Sequence, residues 1–386
     1  MSSGFLQKNR VTLIRGGKAY FSLLQELILN AKDSIHIQTY ILEEDETGRM
    51  VMDALKNAAS RGVQVYLLAD GYASQSIQKA TLKNLEEHHV RFRYFEPVFR
   101  SKYFYFGRRL HHKVAVMDAR YALVGGINLS DRYNDMEGTQ AWFDFALFAE
   151  GEIARELCIL CWKSWKGFPS FMQLTPCEKA HPDYNFPEEE QCLVRMRRND
   201  WVRRKNEISR TYIEMLKNAS EQVIIVSSYF LPGRALQRNL LGAVKRGVKI
   251  KVVMAGMSDV IIAKNAERYM YDWLLRNKIE IYEFTDTILH AKIAVADNEW
   301  YTVGSYNVNN ISAYASVELN LDVLDERSAT STRVLLENII EQKCVRISKE
   351  MHLQTKNPIK QLLRWLSYQF FRSVFFLFTF YFKQHN

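Results

Sequence analysis

The chain has 386 residues, enough for two ordinary domains or one large one. Hydrophobic residues make up 47% and charged residues 25%, which excludes a disordered chain and fits a globular one. A net charge of +9, from 52 basic and 43 acidic residues, predisposes the surface to polyanions and by itself does not choose between nucleic acid and an anionic membrane.

Met1 to Arg10 contains no apolar core, so no signal peptide is expected. Between Asp33 and Gly71 the sequence reads SIHIQTYIL, then a helical pattern, then SRGVQVYLLADG. A β-branched run ending at Tyr40, an amphipathic helix, the turn Arg61-Gly62-Val63 and a second apolar run predict a β-α-β unit with parallel strands. Residues 100 to 112, RSKYFYFGRRLHH, interleave basic and aromatic side chains. That pattern suits cations meeting lipid phosphates with rings at headgroup depth, and also suits stacking on single-stranded nucleic acid.

The run HHKVAVMD then predicts a strand with His111, Lys113, Ala115 and Met117 on one face. The intervening residue places the two polar side chains roughly 6–7 Å apart along the strand. Asp118 is expected to hold the strand-to-turn connection. The next strand, YALVGG, delivers Gly125 and Asn128, with glycine expected to let the backbone approach a phosphate. Asp144 in WFDFALF lies inside an apolar run, where a carboxylate needs a partner. Cys158 and Cys161 fall in a helical pattern beside Trp162 and Trp165 and read as a packed helix face. With Cys177, Cys192 and Cys344 they form an odd, scattered set, expected to be reduced thiols at a cytosolic face. The stretch from Pro176 to Glu190 has the composition of a linker, dividing residues 1–175 from 195–345.

The second half repeats the first. QVIIVSSYFLP ends its β run at Tyr229, Arg246-Gly247-Val248 forms the turn, and HAKIAVAD places His290, Lys292, Ala294 and Ala296 on one face. His290, Lys292, Asp297, Gly304 and Asn307 each follow their counterparts His111, Lys113, Asp118, Gly125 and Asn128 by 179 residues (290 − 111). Ser305 follows Gly304, and Glu318 in SVELNLDV is the second carboxylate inside an apolar run. Residues 346–386 form a tail in which Ile359 to Lys383 reads IKQLLRWLSYQFFRSVFFLFTFYFK. Its uninterrupted apolar part is shorter than the roughly 20 residues a span needs. Arg364 and Arg372 interrupt the longer stretch, and seven phenylalanines lie between Phe370 and Phe382. A helix lying in the membrane interface, basic residues toward the headgroups, accounts for this pattern, as does docking on the protein's own core or on a second chain.

Two histidines, two lysines and two asparagines are what a phosphodiester-transferring site needs. Lysines and asparagines stabilise the charge that builds on phosphorus, while histidine serves as nucleophile, acid or base near neutral pH. A lysine two residues from each histidine repels a cation, so no metal and no other cofactor is expected. Asp144 and Glu318 are candidates to orient the imidazoles.

The duplicated HxKxxxxD with its downstream Gly and Asn resembles the phospholipase D superfamily. The resemblance implies two pseudo-symmetric α-β-α sandwich halves with mixed, largely parallel sheets, a single active site between them, and a phosphatidyl-histidine intermediate. It implies catalytic roles for His111, Lys113, Asp118, His290, Lys292 and Asp297, orienting roles for Asp144 and Glu318, and phosphate binding by Asn128, Asn307 and Ser305. Gly125-Gly126 departs from the common Gly-Ser or Gly-Thr, which Gly304-Ser305 keeps. Across nearly the whole chain, through QTYILEEDETG, LLADGYAS, VGGINLS, SSYFLPG and VGSYNV, the order of segments resembles bacterial cardiolipin synthases lacking N-terminal membrane spans.

The expected reaction is condensation of two phosphatidylglycerols to cardiolipin and glycerol. The expected partner is an anionic phospholipid membrane rather than nucleic acid, with the protein peripheral at the cytoplasmic face. Hydrolysis by a phospholipase D or nuclease, and an inactive membrane-binding scaffold, are the other readings. By analogy with the superfamily His111 is the nucleophile and His290 the acid/base, a choice that sequence symmetry leaves open, as it does the oligomeric state.

Overall fold

The computed structural model describes residues 4–97, 108–167, 177, 184–258, 260–309, 312–313, 316–354 and 357–383, with side chains up to residue 373. The basic aromatic run up to residue 107, residues 176 and 178–183 of the expected linker, and the last phenylalanine side chains lie outside the described residues.

The chain divides into two compact units that part at Arg197/Arg198, with two short later segments assigned to the first. The first holds residues 1–197 together with 303–305 and 317–324, and the second holds 198–302, 306–316 and 325–386.

In the first unit, β1 (Leu6–Arg15), β2 (Ser34–Thr39), β3 (Gln64–Asp70), β4 (Val90–Phe95), β5 (Arg109–Leu110), β6 (Lys113–Met117), β7 (Tyr121–Gly125) and β8 (Phe145–Gly151) are joined by α1 (Lys18–Asn30), α2 (Glu46–Ser60), α3 (Lys79–Glu87) and α4 (Glu152–Lys166). The sheet is mixed. It is parallel through β2, β3 and β4, and antiparallel where β2 meets β6, β6 meets β7, β7 meets β8 and β8 meets β1. Both faces of β2 are covered, so all six residues of SIHIQT are buried, the polar Ser34, His36, Gln38 and Thr39 included. Ile35 and Ile37 enter a core with Phe21 and Leu24 of α1, Val51 and Leu55 of α2, and Ala115 and Met117 of the motif strand. His36 and Gln38 face α4, where Gln38 Nε2 donates to Cys161 O at 2.8 Å and His36 stands edge-on to Trp162.

The expected set of wholly reduced thiols is corrected here. Cys158 and Cys177 are joined as a disulfide, their Cα atoms 5.9 Å apart, while Cys161, Cys192 and Cys344 are free. Nineteen residues apart in the chain, the two are brought together over α4, a proximity that sequence spacing does not reveal.

In the second unit, β9 (Gln222–Ser227), β10 (Lys249–Ala255) and β11 (Glu280–Phe284) are parallel, and the motif strand β12 (Lys292–Ala296) is antiparallel to β9. Helix α5 (Ile261–Arg276) packs against α6 (Pro358–Lys383), the helix that carries the apolar part of the tail. Tyr368 and Phe371 pack with Ala266 and Met270, and Tyr368 meets Tyr269 at 4.8 Å between ring centroids. Arg364, expected among the headgroups, is instead buried on this inner face, so at that residue the tail docks on protein. The opposite face leaves Ile359, Leu362, Leu363, Leu366 and Phe370 exposed, Ile359 to 71%. No helix among the described residues is long and apolar enough to cross a membrane.

Candidate active site

His111 sits immediately before β6, where its N–H and that of His112 both donate to Val317 O, at 3.0 and 2.9 Å. Its Nδ1 lies 2.9 Å from Glu318 Oε1 and 3.0 Å from Oε2. Glu318 is fully buried, whereas the His111 side chain keeps 20% exposure, so the pair has a dry end and an accessible end. The Ser305 hydroxyl donates to Glu318 Oε2 and accepts from Leu319 N at 3.1 Å. Burial alone raises the Glu318 carboxyl, but the charge and hydrogen bond of His111, the charge of Lys113 and the Ser305 hydroxyl outweigh it. The net value lies below the ordinary glutamate range, so the group is a carboxylate throughout the neutral range.

Lys113 is buried, donates from Nζ to His111 O at 2.5 Å, and lies 5.3 Å from the centroid of Tyr40. Tyr40 also packs edge-on to His111 at 5.0 Å, and burial followed by the Asp70 charge pushes its phenol up to about 12. Asn128 Oδ1 accepts from Ile41 N at 3.0 Å, and no hydrogen bond within the described residues uses its amide NH2.

The second motif has a different shell. Lys292 is fully buried and donates to His290 O and, at 3.2 Å, to Ser228 Oγ. Strand register pairs Ser227 with Lys292 and Gln38 with Val114, so Thr39 corresponds to Ser227 and Tyr40 to Ser228. The alignment of Tyr40 with Tyr229 is therefore one residue out of register, and an aromatic ring beside one lysine is a hydroxyl beside the other. Asn307 Oδ1 is buried and has no hydrogen-bond partner among the described residues, unlike its counterpart in Asn128.

Asp118 and Asp297 stand at the far ends of the motif strands, about 17 Å of strand from each lysine. Asp118 accepts from the N–H groups of Lys32, Asp33 and Ser34 at 2.8–2.9 Å. Asp297 accepts from Ser220, Glu221 and Gln222, each at 2.9 Å. Both have positive φ, 53° and 51°, a conformation that aspartate tolerates better than most residues. Burial raises the Asp297 carboxyl, the backbone donors outweigh it, and the net value is lowered. Each aspartate fastens a turn to the start of the neighbouring strand.

Two of the groups expected near a phosphate also make close contacts within the protein. A side-chain carbon at Gly125 would overlap Phe145 O, and one at Gly304 would overlap Leu319 O. The close approach these glycines permit is therefore to the adjoining strand. Ser305 directs its hydroxyl proton to Glu318. Its counterpart Gly126 has no such role, because a carbon there would overlap the carboxylate of Asp144. Asp144 is buried and accepts from Phe145 N at 2.7 Å.

Sequence reasoning missed Asp70, which is buried and accepts from Leu110 N at 2.8 Å, from Tyr72 N at 2.9 Å and from Ala73 N at 3.1 Å. It anchors β5, the last two residues before His111. It also missed Gln38, whose Oε1 holds His112 Nε2 at 2.7 Å. The signal was present in each case, since Asp70 ends an apolar strand and Gln38 interrupts one.

This is a phospholipase D-type fold. The chain superposes on a phosphatidylserine synthase from Haemophilus influenzae Rd KW20 with a TM-score of 0.72 at 14% identity, covering 97% of this chain and 96% of the other. The polyphosphate kinase of Porphyromonas gingivalis gives 0.60 at 16% identity, covering 95% of this chain and 53% of the other. The chain belongs to the family described as cardiolipin synthase, PLD-like domain, which matches residues 24–142 and 212–340. It is 32% identical over 356 residues to cardiolipin synthase B of Salmonella typhimurium, covering 91% of this chain and 85% of that one. Cardiolipin synthase B of Escherichia coli K12 is 30% identical over 354 residues, covering 91% and 85%.

Proposed function

We propose that the protein is a phosphatidyltransferase of the cardiolipin synthase type, condensing two phosphatidylglycerols to cardiolipin and glycerol. The observation that carries this is the His111–Glu318 pair. A buried carboxylate on Nδ1 fixes the tautomer with the proton on that nitrogen and leaves the Nε2 lone pair for phosphorus.

His111 Nε2 attacks the phosphodiester, the bond to glycerol breaks, and His290 protonates the departing oxygen. His290 then takes the proton of a second phosphatidylglycerol's hydroxyl, whose oxygen displaces His111 and forms cardiolipin. Lys113 and Lys292 balance the charge gathering on the phosphoryl oxygens, and the amides of Asn128 and Asn307 add neutral donors. Asp144 and Glu318 orient the imidazoles, while Asp118 and Asp297 serve the turns.

The membrane partner is an anionic bilayer at the cytoplasmic face. The net charge of +9 and the bare aliphatic face of α6 support this reading. In the second unit Met257, Val260, Ile261 and Ile262 at the start of α5 are also exposed, Ile261 to 75%.

The test is to incubate the purified protein with vesicles of labelled phosphatidylglycerol and separate the lipids. Cardiolipin is the expected product. Phosphatidic acid alone makes the protein a hydrolase, and no turnover, with His111→Ala leaving all function intact, makes it a scaffold. Phosphate trapped on His290 and absent from His111 would reverse the two histidine roles.

A further inference from the structure

Behind the motif strand, the α4 side of β2 carries a second chemical cluster that the transfer reaction does not use. His36 is buried, stacked on Tyr66 at 4.7 Å and edge-on to Trp162 at 5.6 Å. Its Nε2 is buried and has no hydrogen-bond partner among the described residues. An imidazole nitrogen in an apolar wall with nothing to bind is destabilising, so its presence points to a ligand that the ring meets in another state. The atoms beside it are sulfur. A ring nitrogen of His36 and the Sγ atoms of Cys158 and Cys177 lie within 4.8 Å of one another, and all three residues are buried.

Two sulfurs and an imidazole are the donor set of zinc or copper(I), and the absence of a carboxylate from this set disfavours magnesium or calcium. In the structure the sulfurs are joined to each other, which is the oxidised form of the cluster. We propose that His36, Cys158 and Cys177 form a redox-gated site for a thiophilic cation, occupied when the cysteines are thiolates and emptied when they close to the disulfide.

The gating step balances with a small-molecule disulfide as oxidant. One cysteine thiolate attacks it, forming a mixed disulfide and releasing one external thiolate. The second cysteine thiolate attacks the mixed disulfide, forms the Cys158–Cys177 bond and releases the other external thiolate. Two electrons pass from the cysteines to the oxidant. The cation, left with imidazole alone, departs, and His36 returns to its unpartnered state. The site adjoins the catalytic strand, since Gln38, two residues beyond His36, joins Cys161 O to His112.

The experiment uses the full chain, reduced with a phosphine, loaded with zinc alone and freed of excess metal by gel filtration. We expect about one zinc per chain and all five cysteines titrating after denaturation. A small-molecule disulfide should release the zinc and remove two thiols per zinc released. His36→Gln should weaken zinc binding at least about tenfold while still forming the disulfide, which checks that the cysteines remain in place. If the reduced wild-type chain holds no more zinc than the Cys158→Ser/Cys177→Ser variant, or if the oxidised chain keeps its zinc, the proposal is wrong and the cluster is a disulfide only.

Discussion

Nδ1 of His111 lies 2.9 Å from the carboxylate of Glu318, although 207 residues separate them in the chain. The carboxylate that serves the first motif thus comes from the strand after the second, and within one compact unit the fold joins what the sequence holds apart. If this bond sets the tautomer, Glu318→Gln keeps the shape and loses the function. Its amide either presents an N–H to Nδ1 or leaves the ring without an anion. We expect kcat for cardiolipin formation to fall by roughly three orders of magnitude with KM little changed. A fall smaller than about tenfold in a vesicle assay would remove Glu318 from the mechanism.

The contrast between Gly126 and Ser305 makes a second prediction. Glu318 is one methylene longer than Asp144, and its carboxylate accepts the Ser305 hydroxyl, whereas the shorter Asp144 fills the space where a side chain at 126 would begin. Restoring the serine common in the superfamily is therefore expected to do harm. Gly126→Ser should push Asp144 off its position and lower kcat by about 10- to 100-fold, the scale of a lost orienting partner. Ser305→Gly, which leaves the Glu318 carboxylate short of one donor, should destabilise the fold by about 1–3 kcal/mol. Full activity of Gly126→Ser would show that Asp144 can move without consequence.

The ionisation of Glu318 makes a prediction about acid. Burial raises this carboxyl, and the interactions with His111, Lys113 and Ser305 bring it below its ordinary value of 4.5. A carboxyl lowered on folding contributes stability that is fully present above the unfolded value. That contribution is lost as the pH falls through the folded value. Unfolding midpoints in urea should therefore drop from pH 5 toward pH 3 more steeply for wild type than for Glu318→Gln. Parallel slopes would mean that the carboxylate gains nothing from its partners on folding.

Much of the site was legible because strand periodicity and a fixed 179-residue offset repeat the motif, and the β-α-β units followed from runs such as SIHIQT and QVIIVS. What periodicity does not encode is register and partnership. Tyr40 matches Tyr229 in the sequence pattern, yet backbone pairing sets it against Ser228, and a shift of one residue changes which group meets the lysine. Asp144 and Glu318 stood out as acids in apolar runs, but the pairing of Glu318 with a histidine 207 residues away depends on how distant strands assemble. Cys158 and Cys177 escaped for the same reason, since a bond between them depends on where Cys177 is placed beside α4.

The tail is where sequence and structure together sharpen a test. Removing every residue after 357 strips away the side chains of Tyr368 and Phe371 that pack on α5, so lost vesicle binding after truncation would be confounded with damage to the second unit. The exposed face separates the two effects. Leu362, Leu363, Leu366 and Phe370 are all more than 45% exposed, so replacing them with glutamate removes little packing. Each substitution takes an apolar side chain from the bilayer interface and sets a negative charge against anionic lipid. The quadruple variant should keep its unfolding temperature within about 3 °C and lose at least about tenfold in affinity for phosphatidylglycerol vesicles. Unchanged co-sedimentation, with the fold intact, would show that α6 is held by the protein alone and that the membrane is met elsewhere.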